Sequence, residues 1–493
     1  MKFSSKFWLK EDGKIKFNEE GKYAILKEIR QFNGGIAMNK YAVVLAAGKG
    51  TRMKSSLHKV LHQVLGKSMV DHAVTNLEKI GVDKIVTVIG YEAESVRAEL
   101  KDRVDYAMQT EQLGTGHAVM MTKNLLEGLE GVTIVTYGDV PLLTEQTIAN
   151  LFDYHQSQEA AITILTACTD DPTGYGRIIR DEAGNVLRIV EQKDANAEEL
   201  LVKEINTGVC CYDNKVLFEA LTKITNNNSQ GEYYLTDLVG IIRDMGLKVV
   251  AYVNEDFEET LGVNDRVQLA YAEKVLRKRI NEFHMRNGVT IINPEATYIG
   301  TDVQIGQDVI IYPGTMITGQ SIIENNVVIG ANSQIINSTI GAHTTINASV
   351  ISDSKIGAFT TVGPFAHIRM HSEIGNKARI GNFVEIKKSV FKDGAKSAHL
   401  SYIGDAELGE NVNMGCGSIT VNYDGKNKHK TVIGANTMVG CNVNLVAPVT
   451  IEPNTYLAAG STITKNVPED ALAIARPKQV NKEGYAKVLR EKL

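Results

Sequence analysis

"IGQDVIIYPGTMITGQSIIENNVVIGANSQI" occupies residues 305–335. An aliphatic residue recurs at every sixth position through it: Ile305, Ile311, Ile317, Ile323, Ile329 and Ile335. A period of six fits neither the 3.6-residue helix nor simple strand alternation. It fits a solenoid in which each short strand points one aliphatic side chain inward and stacked turns bury a continuous core. The phase returns at Val362, Ile368, Ile374, Ile380 and Ile386, and again from Ile433 through Val439, Leu445, Ile451, Leu457 and Ile463. Glycine often follows the aliphatic residue, as at Gly306, Gly330, Gly375, Gly381, Gly434 and Gly440, and reads as turning the corner. A small or β-branched residue often sits four places on, as at Ser333, Thr437 and Ser461. A sandwich of short strands is the alternative, but sandwiches do not hold a six-residue phase over so many units.

The phase lapses twice, at "KKSVFKDGAKSAHLSY" (387–402) and at "VNYDGKNKHKT" (421–431). Irregular segments on a rigid scaffold are where function concentrates. His399 in the first lapse is a candidate base, since a neutral imidazole of ordinary pKa ~6.5 can take a proton near neutrality. The competing reading is a surface or capping histidine, as most of the eleven histidines must be. Arg369, Lys377, Arg379, Lys387, Lys388, Lys392 and Lys396 cluster near this lapse and read equally as a solvated face. "KNKHK" (426–430) has no aromatic interleaving and reads as a solvated loop tip.

Upstream the texture differs. Residues 40–264 alternate strands such as "YAVVLAA", "KIVTVIG" and "GVTIVTYGD" with amphipathic helices such as "MVDHAVTNLEKIG". This order predicts a largely parallel sheet covered on both faces, with ligands at the carboxyl ends of strands. "VVLAAGKGTRM" (43–53) places a Gly-rich loop at such an end. It is neither a phosphate-binding GxxxxGK loop nor a full dinucleotide fingerprint, because residue 53 is Met. Ala46, Ala47 and Gly48 allow close backbone approach, while Lys49, Arg52 and Lys59 can meet phosphate charge. A mobile surface turn is the plainer reading of such a loop. Residues 265–287 read as one long connecting helix, with Leu269, Leu276, Ile280 and Phe283 on a shared face and Gly288 ending it.

The totals bound the function. A formal net charge of −5 argues against nucleic acid as the main partner. Five cysteines, odd in number and without CxxC spacing, indicate neither a disulfide framework nor a zinc site but reduced thiols. No apolar run approaches a membrane span and the N-terminus lacks the apolar core of a signal peptide, so a cytoplasmic location is expected. Residues 1–37 are an N-terminal extension without an assigned role: an appended leader before a native start at Met38, or a small docking element. The expected order is then a catalytic domain over 38–264, a linker helix over 265–288, a β-helix over 289–472 and a tail over 473–493.

The six-residue texture resembles the hexapeptide-repeat acyltransferases, whose left-handed parallel β-helices usually form trimers. The hand and the homotrimer are what that resemblance implies. "LAAGKGTRM" (45–53), "QTEQLGTGHA" (109–118), "YGDVPL" (137–142), "GYGRI" (174–178), "IVEQKDA" (189–195), "EINTGV" (204–209) and "LGVNDR" (261–266) resemble, in order, the motifs of the sugar-1-phosphate nucleotidyltransferases. Together they imply an α/β, Rossmann-like nucleotidyltransferase domain followed by a left-handed parallel β-helix, and a bifunctional enzyme of UDP-N-acetylglucosamine synthesis that feeds bacterial cell-wall precursors. The C-terminal half would acetylate glucosamine 1-phosphate from acetyl-CoA. The N-terminal half would transfer UMP from UTP to N-acetylglucosamine 1-phosphate with release of pyrophosphate.

The resemblance also implies roles. Leu45, Ala46, Ala47, Gly48, Arg52 and Lys59 would hold the nucleotide phosphates, and Gln109, Gly114 and Thr115 the uracil. Tyr137, Gly138 and Asp139 form the metal turn, with Mg²⁺ on Asp139 and Asn264, while Gly176, Glu191 and Asn206 orient the sugar. Asn206 also reads as a turn residue, Glu191 as a solvated charge and Asp139 as a cap. In the second half His399 would be the base, Arg369 and Lys387 would hold the sugar phosphate, and Tyr402 and Asn413 would complete the pocket. Cys416, Asn422, Tyr423, Cys441, Ala459 and Arg476 would meet acetyl-CoA, with Cys416 and Cys441 standing where Ala and Ser are commoner. Two other readings remain: a nucleotidyltransferase whose β-helix only trimerises it or binds an effector, and a scaffold with decayed sites.

Overall fold

The computed structural model describes residues 8–11, 14–17, 38–228 and 230–492. Of the N-terminal extension, Trp8–Glu11 and Lys14–Phe17 pair as an antiparallel hairpin, and its other residues lie outside the described ones. The described chain falls into two compact units. One holds the residues up to 272 apart from 65–67, and the other holds 65–67 and those from 273 on. The division lies inside the helix Arg266–Arg286.

The first unit is built on β1 (Lys40–Ala46), β2 (Lys84–Ile89), β3 (Asp105–Met108), β4 (Val132–Tyr137), β5 (Ile162–Cys168), β6 (Arg177–Arg180), β7 (Val186–Val190), β8 (Glu204–Asp213) and β9 (Val249–Asn254). The strands β4, β1, β2 and β3 are parallel neighbours in that order. Consecutive residues Ala42, Val43 and Val44 of β1 are all buried, because helices cover both faces. The other half departs from the expected largely parallel sheet. There β8 runs antiparallel to both β4 and β5, and β6 pairs antiparallel with β7 and β8. The chain between β6 and β7 explains the antiparallel pairing of those two strands. It is a tight turn in which Asp181 accepts from the Asn185 N–H at 2.8 Å, and parallel pairing needs a crossover of a dozen or more residues.

In the second unit each short strand lies parallel to the one a full turn later. Ile317 stacks on Ile335, 18 residues on, and Ile335 on Ile351, 16 on, where a repeat is shortened. The inward aliphatics form one core from Val289 to Val467. Buried hydroxyls support it. Ser321, Ser338, Ser354 and Ser372 each accept the N–H of the corresponding residue one turn later, at 3.1–3.3 Å.

Three expectations need correction. Residues 387–402 do not leave the repeat: Ile374 stacks on Phe391, Ile380 on Ser397 and Ile386 on Ile403. The beat is hidden because Phe391 comes five residues after Ile386, and because buried Ser397 takes an inward position normally filled by an aliphatic. Only 421–431 is a true excursion, for Asn413 stacks on Met438, 25 residues on. The six glycines do not turn corners. None has a positive φ; corners are made by residues such as Asp308, Asn332 and Asn436. The glycines let turns stack: a Cβ at Gly440 would lie 2.6 Å from the Ala459 nitrogen of the next turn. Finally, the buried positions of the long helix include Ala272, Val275, Asn281 and His284, while Phe283 is exposed. Asn281 turns inward because its amide donates to the Pro294 and Thr297 carbonyls at 2.7 and 3.0 Å.

Gly440→Ala should therefore destabilise the second unit by about 1–3 kcal/mol through overpacking. Gly240, inside the helix Asp237–Asp244 with open space around its Cβ position, should become about 0.5–1 kcal/mol more stable as Ala. Denaturant midpoints shifting in the opposite senses would contradict the stacking role.

Candidate functional site

The ends of β1 and β4 deliver Leu45–Gly48 and Tyr137–Asp139 to two confluent clefts of about 240 and 370 Å³, both lined by Tyr137 and Asp139. The smaller is walled by Leu45, Ala46, Ala47, Gly48 and Lys59 on one side and by Gln109, Gly114 and Thr115 on the other. The larger takes Arg52, Gly176, Glu191, Asn206 and Asn264. Of the residues named for this half, Lys49 and Gly138 line neither; Gly138 has a structural place instead. It is buried in the floor, donating to the Leu45 carbonyl at 3.0 Å, and a Cβ there would press on Val70 at 3.2 Å.

Where the clefts meet, the Lys59 ammonium bonds the Asp139 carboxylate and lies 3.1 Å from Asn264 Oδ1. Arg52 donates to the same Asn264 oxygen at 2.9 Å. The "LGVNDR" segment is tied in place by the Val263 N–H, which donates to the Asp139 carbonyl at 2.9 Å. Two hard oxygens, a carboxylate and an amide carbonyl, thus converge on one cationic nitrogen. That donor set fits a divalent cation taking its remaining ligands from phosphates and water.

The loop that faces β1 from across the smaller cleft is held internally. Gln109 is buried, and its amide nitrogen donates to the Gly114 carbonyl at 3.2 Å and contacts His117 Nδ1 at 3.1 Å. Thr115 Oγ1 accepts from the Leu235 N–H at 3.1 Å. Gly114 has φ 104, and a Cβ there would lie 2.7 Å from the Tyr233 carbonyl, so only glycine fits. In the larger cleft, burial raises the Glu191 carboxyl pKa. Asn206 Oδ1 accepts from the Gly208 N–H at 3.0 Å, so the turn reading and the cleft position both hold. Sequence reasoning missed Gln112, which braces the Ala47 carbonyl at 3.1 Å, and Glu232, which lines the cleft. It also missed His58, whose ring contacts the Gly48 carbonyl at 3.0 Å and whose pKa burial lowers. Gln112 lay inside a quoted motif, whereas His58 and Glu232 carried no sequence signal.

In the second unit the strands Arg379–Lys387 and Lys396–Gly404 lie in register, with Asn382 opposite His399 and Glu385 opposite Tyr402. His399 is exposed, and its Nδ1 lies 3.3 Å from Asn382 Oδ1. An amide oxygen there accepts from a protonated Nδ1, which leaves Nε2 as the basic nitrogen. Arg369 pairs with Glu385 through two nitrogens at 2.5 and 3.1 Å and lies opposite Lys387 on the neighbouring strand. Lys428 reaches the same place, and the Lys387 ammonium against it is the main cause of its lowered pKa, with Asp405 and Tyr402 close by. Two facing ammonium groups make this a place where an anion is stabilised. Asn422 is buried and donates to Asp405 at 2.6 Å.

The "KNKHK" loop is exposed, as its reading as a solvated tip expects, and it also makes contacts back to the turns. Lys428 faces Lys387, and Lys430 pairs with Glu407 at 2.7 Å. The loop is ordered by Asp424, which accepts the Lys426 and Asn427 N–H groups at 2.8 and 2.6 Å and pairs with His429 at 2.7 Å. Tyr423 is exposed, and its hydroxyl donates to the Gly425 carbonyl at 2.6 Å. Register places Cys416, Cys441 and Ala459 at successive turns beyond His399, and Arg476 donates to the Ala459 carbonyl at 2.9 Å. Asn413 is not brought beside Tyr402. It stacks with Lys396 and Met438, across the Leu400 corner. Asn382, Glu385 and Lys428 were missed because their roles depend on which turn lies over which.

Residues 41–266 match the family profile described as nucleotidyl transferase. Residues 302–337 and 430–465 match that of the bacterial transferase hexapeptide repeat. The chain is 56% identical over 450 residues to the "Bifunctional protein GlmU" of an Exiguobacterium species, covering 91% of this chain and 100% of that one. It is 57% identical over 448 residues to the protein of the same name from a Geobacillus species, and 55% over 450 to that from Listeria monocytogenes, each covering 91% of this chain and 98% of the relative.

Lys428→Ala should weaken binding of a sugar 1-phosphate to the second unit about tenfold, as loss of one charge-assisted bond implies. Calorimetric titration reads this, and an unchanged affinity would remove Lys428 from the anion site.

Proposed function

The chain belongs to the bifunctional GlmU family, and from that premise we propose how its two halves divide the work. The protein is an enzyme with two transferase activities. The hexapeptide half moves the acetyl group of acetyl-CoA onto the amine of glucosamine 1-phosphate. The nucleotidyl transferase half joins the UMP of UTP to the resulting N-acetylglucosamine 1-phosphate and releases pyrophosphate. The observation that carries this reading is that each unit bears its own polar constellation: Lys59, Asp139, Asn264 and Arg52 in one, and His399, Arg369, Lys387 and Lys428 in the other.

In the first unit a sugar-phosphate oxygen attacks the α-phosphorus of UTP. Such chemistry needs alignment and charge neutralisation more than covalent help. Arg52 and Lys59 meet the phosphates, and Lys59 exchanges the Asp139 carboxylate for them. Asp139 and Asn264 would hold a divalent cation, Mg²⁺ in our reading, which would supply further neutralisation of phosphate charge. Gln109, Gly114 and Thr115 receive the uracil, while Gly176, Glu191 and Asn206 receive the acetamido sugar. In the second unit His399 Nε2 takes the proton of the amine as it attacks the thioester, with Asn382 fixing the ring. Arg369, Lys387 and Lys428 hold the sugar phosphate and Tyr402 flanks the sugar. Cys416, Cys441, Ala459 and Arg476 form the coenzyme groove, with Asn422 and Tyr423 beside it.

The assembly in this reading is a homotrimer. Phe365, Phe383 and Leu400 sit at positive-φ corners on successive turns and are 59, 55 and 60% exposed, an apolar edge suited to a second copy. Asn413, across the Leu400 corner, would serve the pocket shared with that copy. No helix among the described residues is long and apolar enough to cross a membrane.

Asp139→Ala should abolish pyrophosphate release from UTP and spare thiol release from acetyl-CoA, and His399→Ala should do the reverse. Loss of both signals in either variant would contradict the division. Sedimentation equilibrium should give three times the chain mass; a monomer fully active in acetyl transfer would exclude a shared pocket.

A further inference from the structure

Cys416 and Cys441 are both exposed and both free. They stand one above the other, since Met414 pairs with Val439 and Ile419 with Asn444. Each precedes a corner residue in the left-handed region, Gly417 (φ 73) and Asn442 (φ 54), so both side chains leave the same corner. The Asn442 N–H donates to the Cys416 carbonyl at 2.7 Å, which makes the two backbones direct hydrogen-bonded neighbours. Neighbouring strands lie about 4.8 Å apart, and a disulfide spans a Cα separation of roughly 4.4–6.8 Å. Residues in register on adjacent turns therefore fall within the Cα range that a disulfide spans.

The surroundings suit thiol chemistry. One turn before Cys416 the same position is His399, since Ser397 pairs with Met414. Side chains at this position reach their neighbours on the next turn, as the 3.3 Å contact of His399 with Asn382 shows. The thiolate is the species that attacks disulfides, and both thiols are exposed to a small one. The other cysteines differ: Cys210 and Cys211 are buried, with their thiol pKa values pushed up by burial, and Cys168 is exposed on a strand of the first unit.

We propose that Cys416 and Cys441 form a thiol–disulfide exchange site for low-molecular-weight disulfides. The Cys416 thiolate attacks a small disulfide RSSR, forming a mixed Cys416–S–S–R bond and expelling RS⁻, which takes up the proton lost by Cys416. The Cys441 thiol, deprotonated in turn, attacks the Cys416 sulfur, closing the Cys416–Cys441 bond and releasing the second RSH. Two electrons pass from the cysteine pair to RSSR, and a dithiol reductant reverses the reaction. A bond between surface corners is open to reductant, as labile regulatory disulfides are. Its effect on acetyl transfer rests on the reading of this column as the coenzyme groove; the exchange chemistry itself does not. With that groove bridged, acetyl transfer stops while uridylyl transfer continues.

The test incubates the reduced full-length protein with glutathione disulfide, followed by peptide mapping and both assays. The expected result is a Cys416–Cys441 cross-link within one chain, loss of acetyl transfer, retained uridylyl transfer and full recovery with dithiothreitol. In Cys441→Ser the glutathione adduct should persist on Cys416. Adducts on both cysteines without a cross-link, or no reaction at either, would overturn the exchange site. A cross-link that leaves acetyl transfer untouched would instead establish the exchange site and overturn the groove reading.

Discussion

A Cβ at Gly381 would collide with the Ala398 carbonyl on the next turn, and the same crowding recurs at Gly375, Gly409, Gly415 and Gly440. Backbone pressed this closely against backbone, with hydrogen bonds from turn to turn, is the constraint on which the second unit depends. It fixes register, and register fixes which side chains meet. Asn382 reaches His399, Arg369 lies opposite Lys387, and Glu385 lies opposite Tyr402 because residues 16–18 apart are forced into line. A solenoid buries one aliphatic residue per short strand and leaves its corners free to carry polar groups. Such a scaffold lines up polar side chains from successive turns without a long loop, except over 421–431, where the excursion brings Lys428 back to Lys387.

The first unit solves the same problem with strand ends. Residues from three distant parts of the chain, Lys59, Asp139 and Asn264, meet at one point because β1 and β4 are parallel neighbours and Val263 is hydrogen-bonded to the Asp139 carbonyl. The Lys59 ammonium between two oxygens keeps a largely buried carboxylate paired. The antiparallel β6, β7 and β8 extend this sheet beside the larger cleft, where Glu191 and Asn206 stand.

Much of this was legible in the sequence, for physical reasons. Six-residue phase survives wherever inward positions are Ile, Val or Leu, so the β-helix could be read directly. It was lost over 387–402 because Phe391 comes five residues after Ile386 and buried Ser397 is a hydroxyl, which made a regular segment look like a break. The glycines pointed to the right positions with the wrong reason: their role is the missing Cβ and not a left-handed φ. The long helix was found, but its buried side was misjudged because Asn281 and His284 turn inward. Motif residues of the first unit gather at the clefts because strand ends converge in an α/β sheet. Gly138 is an exception, serving the floor beneath them. Lys428 is as exposed as a solvated tip should be, but its place against Lys387 depends on a fold-back that a lysine-rich loop does not signal. Asn382, Glu385 and His58 act through neighbours that only the fold supplies.

The central claim is that one chain carries two donor sites that do not overlap. Equilibrium binding of acetyl-CoA in the absence and presence of saturating UTP, and the reverse titration, tests it most directly. The account predicts one molecule of each donor per chain, bound together with neither displacing the other. Mutual displacement, or a chain that binds only one of the two, would contradict it.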